Sequence, residues 1–372
     1  MVQREVRSGR SGARGGDAVP GELVVVGVGP VATALDGWLS ANGPRVVRRL
    51  DAVPEQEPHA ALAGAEVVVL VAHGGDLQAA WAVPAEERRA EAVAHAARVV
   101  SAAREAGVRH LVAVSSAMVH GAAPDRPTIH DGDPILGHGS GAGRSLRRTG
   151  EAPDDGLRDG VVGDLLAVEA VLARAARRRS PLVTVLRPAA LVGPGLDTLL
   201  TRHFEAPRLL TVRGVERCWQ FVHVDDLASA VATAVDARLT GPLTVGAADE
   251  LSAREVEAAA GMRRVELAAA TAFGTAERLH RVGVLPAPGA ELAYAVYPWS
   301  VASDGLRAAG WEARWTTAEC LDVLLVAVQG RIALAGRRFG ARDAAALGAA
   351  GAAVALIGTA AVLKQARGRR RG

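Results

Sequence analysis

The stretch Glu22–Ala34, ELVVVGVGPVATA, constrains this chain more than any other. Four apolar residues in a row, Leu23 to Val26, fit a strand covered on both faces. Gly27-x-Gly29-x-x-Ala32 follows at once. Small residues at this spacing make a tight turn, let the backbone approach a pyrophosphate, and let the next helix pack closely on the strand. The helix N-terminus then offers N–H groups and a positive dipole end to phosphates. The same pattern also serves a strand–helix turn that needs small residues for geometry alone.

Strand and helix signals alternate through the rest of the chain. Thr33–Asn42 continues the first helix, which Gly43-Pro44 ends, and Arg45–Leu50 reads as a strand. Asp51–Ala65 is proline-bearing and short. Glu66–Ala72 is a buried strand, Ala85–Ala106 a long amphipathic helix stopped by Gly107, and Val108–Ser115 the next strand. Ala122–Gly160 reads as a long irregular loop. Helix Val161–Arg179 and strand Leu182–Leu186 follow, then a strand-to-helix passage Phe221–Ala237 with Asp225 as helix cap. After the short strand Pro242–Val245, Ser252 and Glu255 form a capping box. This alternation predicts an α/β fold, a doubly wound parallel sheet with helices on both faces.

Of 372 residues, 49% are hydrophobic but only 3% aromatic, so Ala, Val and Leu must build the core. The net charge of +3 reflects basic residues in the tail, and a balanced body argues against a nucleic-acid footprint. Cys218 and Cys320 fall in separate elements and form neither a disulfide framework nor a metal cluster. Residues 1–21 lack the apolar segment of a signal peptide and read as a disordered lead-in, and a cofactor-binding body is expected in the cytoplasm.

Several segments agree on one family. Ala96–Gly121, with its Ser115-Ser116, resembles the helix–strand–Ser-Ser segment of the extended short-chain dehydrogenases/reductases, the NAD-dependent epimerase/dehydratase family. Val183–Gly195 (VTVLRPAALVGPG) resembles that family's strand and nicotinamide-side loop. Phe221–Ala228, Thr244–Val256 and Pro298–Glu319 resemble its substrate-domain strand, its hairpin and helix, and its C-terminal segment. The resemblance implies a Rossmann-like domain over residues 22–336, with a smaller substrate subdomain mainly at 187–222 and 242–325. It implies NAD or NADP as cofactor, a small-molecule ligand and a homodimer. Gly27, Gly29, Ala32, Asp51, Ala72, Ser115, Arg187 and Pro188 fall at its cofactor-binding positions. Arg48 and Arg49 are the alternative, as partners of a 2′-phosphate or as solvated edge residues.

The family's chemistry needs a Tyr-x-x-x-Lys pair on the helix after the Ser-Ser loop, with the tyrosine passing a proton and the lysine lowering its pKa. Here the only lysine is Lys364, the two tyrosines are Tyr294 and Tyr297, and no such pair exists. With Glu169 as the register mark, Val161 and Leu165 occupy the tyrosine and lysine positions. Ser116 matches the substrate-positioning serine, here vestigial, and His120 stands where the family often has tyrosine. Loss of general acid–base help alone costs about 10²–10⁴ in rate. The expectation is therefore a catalytically degenerate protein that binds a dinucleotide or small ligand. One alternative is an active oxidoreductase or epimerase on a sugar-nucleotide-like substrate, with His120 or a loop residue (His130, His138) as substitute acid. Arg144, Arg147 and Arg148 in that loop offer a grip for an anion. His223-x-Asp225-Asp226 is not expected to bind metal.

The other alternative is a membrane-anchored interaction module without cofactor. Residues 343–363 hold a charge-free run of bilayer length, Ala344–Leu363, rich in alanine and glycine, and 364–372 is a basic tail. This predicts a hydrophobic C-terminal helix that contacts the inner face of the cell membrane through 343–372, or packs on the body or a partner subunit.

Overall fold

The computed structural model describes residues 21–137, 157, 159–283, 285–329, 332–334 and 337–339. The expected lead-in, His138, the three loop arginines, the hydrophobic run and the basic tail lie outside those residues. Among the described residues no helix is long and apolar enough to cross a membrane.

The chain runs β1 (Glu22–Val26), α1 (Gly29–Asn42), β2 (Val47–Leu50), β3 (Ala65–Val71), α2 (Leu77–Trp81), α3 (Ala85–Glu105), β4 (His110–Val114), α4 (Val161–Ala175) and β5 (Leu182–Pro188). Next come β6 (Ala190–Val192), α5 (Leu199–Phe204), β7 (Leu209–Val212), β8 (Cys218–Trp219), β9 (Phe221–His223), α6 (Val224–Asp236) and β10 (Gly241–Val245). The last elements used below are β11 (Leu251–Ser252), α7 (Ala253–Ala260), β12 (Arg264–Leu267), α8 (Ala269–Arg281), α9 (Ala293–Val296), α10 (Asp304–Ala308) and α11 (Thr317–Val328).

Six strands form one parallel sheet in the order β10-β5-β4-β3-β1-β2. The continuous apolar runs follow from burial of both faces. Val24, Val26, Val68 and Leu70 pack on α3 and α4, while Leu23, Val25, Val67 and Val69 pack with Leu35 of α1 and Val231 of α6. Each fully buried valine of this kind contributes about 1.5–3 kcal/mol. The strand order reverses between β1 and β3, and the ligand crevice of such sheets opens there, past the carboxyl ends of the strands.

Small strand pairs, β6–β9, β7–β12 and β8–β11, carry the C-terminal elements over that edge. Asp131 ties this layer down. One carboxylate oxygen accepts from Thr244 N and Oγ1 (2.6 and 2.7 Å), the other from Gly305 N (2.8 Å).

The Ser252–Glu255 capping box is present, and Thr316–Glu319 forms a second. Three expectations need correction. Asp225 is not the cap of α6: His223 is, its Nδ1 accepting from Asp225 N (3.2 Å), because the chain turns helical at Val224. Thr244–Val256 is not a self-paired hairpin, since β10 joins the main sheet and β11 pairs with β8. The helix from Val161 ends at Ala175, before the three arginines 177–179. Between β2 and β3, residues 51–64 hold one 3₁₀ turn, Ala60–Leu62, and no further strand.

Candidate functional site

The carboxyl ends of β1, β3, β4 and β5 build the site. Gly27 (φ +149°) and Gly29 (φ +88°) form the turn after β1. A Cβ on Gly29 would lie 2.7 Å from the Gly74 carbonyl oxygen, and one on Gly74 would lie 2.2 Å from that of Val28. Only glycines let these two loops meet this closely. Ala32 is fully buried behind the turn. Two donors at the start of α1 are already removed: Pro30 has no N–H, and Val31 N–H bonds to Gly74 O (3.0 Å). The N–H groups of Val28 and Gly29 remain for an anion.

At the end of β2, Asp51 is exposed, with an Arg49 nitrogen 3.7 Å away. Arg49 also donates to Thr33 Oγ1 (2.8 Å). Arg48 faces elsewhere: its Nε and Nη2 grip Glu22 at 3.0 and 2.9 Å, which raises its pKa and holds the Glu22 carboxyl below its ordinary value.

After β3, Ala72 N–H bonds to Val114 O (3.0 Å), and the His73-Gly74-Gly75 loop is laced to the segment after β6. Asp197 N donates to Gly75 O (2.7 Å), and Leu77 N to Asp197 O (3.0 Å). Arg202 fixes the Asp197 carboxylate from the other side with two bonds of 2.5–2.6 Å. Leu196 is thereby pressed onto Gly75, where a Cβ would lie 2.5 Å from Leu Cδ2.

These contacts narrow the crevice to a cavity of about 60 Å³, lined among others by His73, Ser115, Ser116, Val161, Leu165 and Tyr294. Volume at that scale holds a few waters. Ser116 Oγ accepts from Met118 N (3.2 Å), and the Tyr294 phenol donates to Met118 O (2.7 Å). Burial and the Arg88 charge push His73 down to about 4, so its ring is neutral at pH 7.

Beneath the cavity lies a buried polar chain. Ser115 Oγ donates to Glu169 Oε1 (2.6 Å), and Arg187 grips the same carboxylate through Nε (3.2 Å) and Nη2 (2.6 Å). Arg187 Nη1 lies 3.2 Å from His120 Nε2, and His120 Nδ1 lies 3.2 Å from Pro134 O. A guanidinium only donates, so Nε2 accepts and Nδ1–H donates to the carbonyl. Burial and Arg187 push His120 down to about 4. Both ring nitrogens are occupied and the ring is 1% exposed, so His120 offers no proton to the cavity. Pro188 closes β5 beside Arg187, and His130 pairs with Asp304 at the surface (2.6 Å).

Among the described residues no His/Cys/Asp/Glu cluster could hold a metal ion. The structure thus gathers Gly27, Gly29 and Ala32 at one turn and places Ser115 and Ser116 beside Val161 and Leu165. Ser115 and Arg187 turn into the buried chain. His73 and Tyr294 were not singled out as site residues; only the His-Gly-Gly run after β3 gave a local signal. Arg217 was also missed. It is buried against Trp219 (3.4 Å to the ring centroid) with Nε and Nη1 unpartnered, and burial holds its pKa well below the usual value.

Comparison with known proteins agrees with this architecture. The sequence profile of an NAD(P)H-binding family matches residues 38–148, starting just past the glycine turn. MoeE5 in complex with UDP-glucose and NAD superposes with a TM-score of 0.59 at 18% identity, over 83% of this chain and 99% of that one. The fold is that of NAD(P)-binding Rossmann proteins. The NDP-hexosamine 5,6-dehydratase TunA (TM-score 0.58, 16% identity, 83% and 98% coverage) shares the Rossmann architecture. So does UDP-N-acetylglucosamine 4-epimerase from Bacillus cereus (0.54, 14%, 84% and 100%). An uncharacterized protein of Mycobacterium tuberculosis is 28% identical over 220 residues, 58% of this chain and 53% of its own length. A Mycobacterium bovis protein gives the same values, so the chain spans about half the length of these curated relatives.

Proposed function

We propose that this protein binds a nicotinamide dinucleotide, or another small ligand, on a hydride-transfer scaffold without the ordinary proton relay. One observation carries the reading: the helix face that lines the cavity beside Ser115 and Ser116 presents Val161 and Leu165, 4% and 2% exposed. Neither side chain can hold or pass a proton, and no other residue of α4 replaces them in that wall.

The adenosine and pyrophosphate end fits a dinucleotide. The glycine turn admits close backbone approach, the N–H groups of Val28 and Gly29 suit a phosphate oxygen, and Asp51 suits ribose hydroxyls. An acid there favours NAD over a 2′-phosphate. The nicotinamide end fits poorly. Leu196 over Gly75 leaves about 60 Å³, against roughly 300–1,000 Å³ for ligand pockets. A bound nicotinamide would supply a hydride donor or acceptor. Around it this chain offers the Ser116 hydroxyl, the neutral His73 ring and the Tyr294 phenol, which already donates to Met118 O.

Calorimetric titration with NAD(H) and NADP(H), paired with a turnover assay on UDP-glucose, tests the reading. The expected result is saturable heat with turnover far below about 1 s⁻¹. Absence of heat with every dinucleotide refutes cofactor binding, and ordinary turnover refutes the missing relay.

A further inference from the structure

The central sheet has a second end, opposite the crevice. Neighbouring strands β4, β5 and β10, about 4.8 Å apart, all begin there, and helices α3, α4 and α6 finish there. The turns from each helix to its strand carry arginines: Arg109 before β4, residues 177–179 before β5 and Arg238 before β10. Arg104 and Arg174 stand in the last turns of α3 and α4. All seven are exposed. Arg109 is held by Glu66 (3.0 Å). The other six have no hydrogen-bond or ion-pair partner among the described residues. Nearby acids are engaged: Glu22 with Arg48 (2.9 Å), Asp236 with Arg45 (2.7 Å) and Glu105 with Ser101 (2.8 Å). Helix dipoles favour a cation at a helix C-terminus, which explains Arg104 and Arg174. They do not explain three consecutive arginines beyond the end of α4, whose like charges repel.

This positive end has no seat for a single phosphate. The three helices present carbonyl groups here, not the N–H groups that bind anions. Among the described side chains no tryptophan, tyrosine or phenylalanine is exposed to stack on a base. Val46, just before β2 at the same end, is 70% exposed. A spread of cations with an apolar residue at its margin suits a surface of many anions. We propose that this end of the sheet docks on a bilayer containing anionic lipid, with the six free arginines among the headgroup phosphates and the cofactor crevice facing away. The proposal goes beyond the ligand-binding role above and does not rest on it. It makes no use of residues 343–372.

The test measures, by sedimentation, binding of the full chain to vesicles of phosphatidylcholine and phosphatidylserine at about 0.1 M salt. An arginine near such a surface strengthens binding about fivefold, so Arg177→Gln, Arg178→Gln and Arg179→Gln together should weaken it about a hundredfold. The same three positions changed to lysine keep their charge and should bind as the parent does. Both variants should keep at least the parent's melting temperature and its heat with NADH, because these exposed side chains line neither the core nor the crevice. Absence of vesicle binding by the parent, or its loss in the lysine variant, would overturn the proposal. So would equal binding by the glutamine variant, which would assign the contact to residues 343–372. Tighter binding to duplex DNA than to the vesicles would overturn it in favour of a nucleic acid. If NADH gives no heat with any of the three proteins, only the dinucleotide reading falls.

Discussion

Replacing Glu169 by leucine tests the buried chain that underlies the site. The carboxylate takes three hydrogen bonds, one from Ser115 and two from Arg187. The Arg187 and Glu169 side chains are 8% and 4% exposed, so solvent cannot replace what is lost. Removing one member of such a pair leaves an uncompensated buried charge, at a cost of about 3–5 kcal/mol. The expected fall in melting temperature is on the order of 10 °C. Replacing both partners, as Glu169→Leu with Arg187→Met, removes the stranded charge. Most of the loss should then be recovered, leaving about 1–2 kcal/mol for the unpaired Ser115 hydroxyl and His120 ring. Urea unfolding of the parent, both single variants and the double variant measures the coupling directly. A Glu169→Leu variant within about 1 kcal/mol of the parent would show that the chain is solvated. A double variant as unstable as the single would show that packing, and not the stranded charge, is at stake.

Four further outcomes follow from the geometry. Gly29→Ala puts a Cβ 2.7 Å from the Gly74 carbonyl at φ +88°, so it should cost about 1–3 kcal/mol in urea unfolding and abolish any heat with NAD. Stability should fall on acidification from pH 6.5 to about 4, because His110 and His120 stay neutral when folded, with pKa values near 4, and charge when unfolded. Each contributes up to about 3 kcal/mol, and since His73 and His203 are also held low, at about 4 and about 3, His110→Gln should reduce the slope of unfolding free energy against pH by about a quarter; an unchanged slope would contradict the assignment. Glu291 acts in the opposite sense. Burial raises its pKa to about 7, which favours the fold below 4.5, and that support is lost as pH rises through 7, so Glu291→Gln should gain on the parent above pH 7. Finally, Val161→Tyr with Leu165→Lys introduces the Tyr-x-x-x-Lys pattern of the extended short-chain dehydrogenases/reductases but forces a phenol towards a cavity of about 60 Å³. It should lose about 1–3 kcal/mol and gain no turnover on UDP-glucose with NAD; recovered activity would refute the narrowness argument.

What the sequence makes legible is whatever local chemistry decides. Parallel strands buried on both faces must be continuous apolar runs, so β1, β3 and β4 stand out. A serine or threonine followed three residues on by glutamate announces a helix start, and Ser252–Glu255 is found as expected. Asp225 shows where the local rule fails. An aspartate before a helix is a good cap, yet the strand β9 delivers the chain into helix at Val224, two residues earlier than a cap at Asp225 would. His223 then takes the capping place, and the neighbouring Asp226 carboxylate accepts the N–H groups of Arg314 and Trp315 from a distant segment instead.

The candidate site depends on such distant meetings. Glu169 can be placed from its spacing in α4, but not its grip on Arg187 and Ser115, because those come from two other strands. Gly29 is visible as a turn glycine; that Gly74 needs the same freedom, to meet Val28, is a tertiary fact. That no Tyr-x-x-x-Lys pair occurs is legible because a missing sequence pattern needs no fold. What stands in its place around the cavity is not, because that depends on distant segments. Here Leu196, pinned through Asp197 and Arg202, crowds Gly75, while Val161 and Leu165 line the same cavity, so its narrowness and its apolar α4 wall arise from separate segments of the chain.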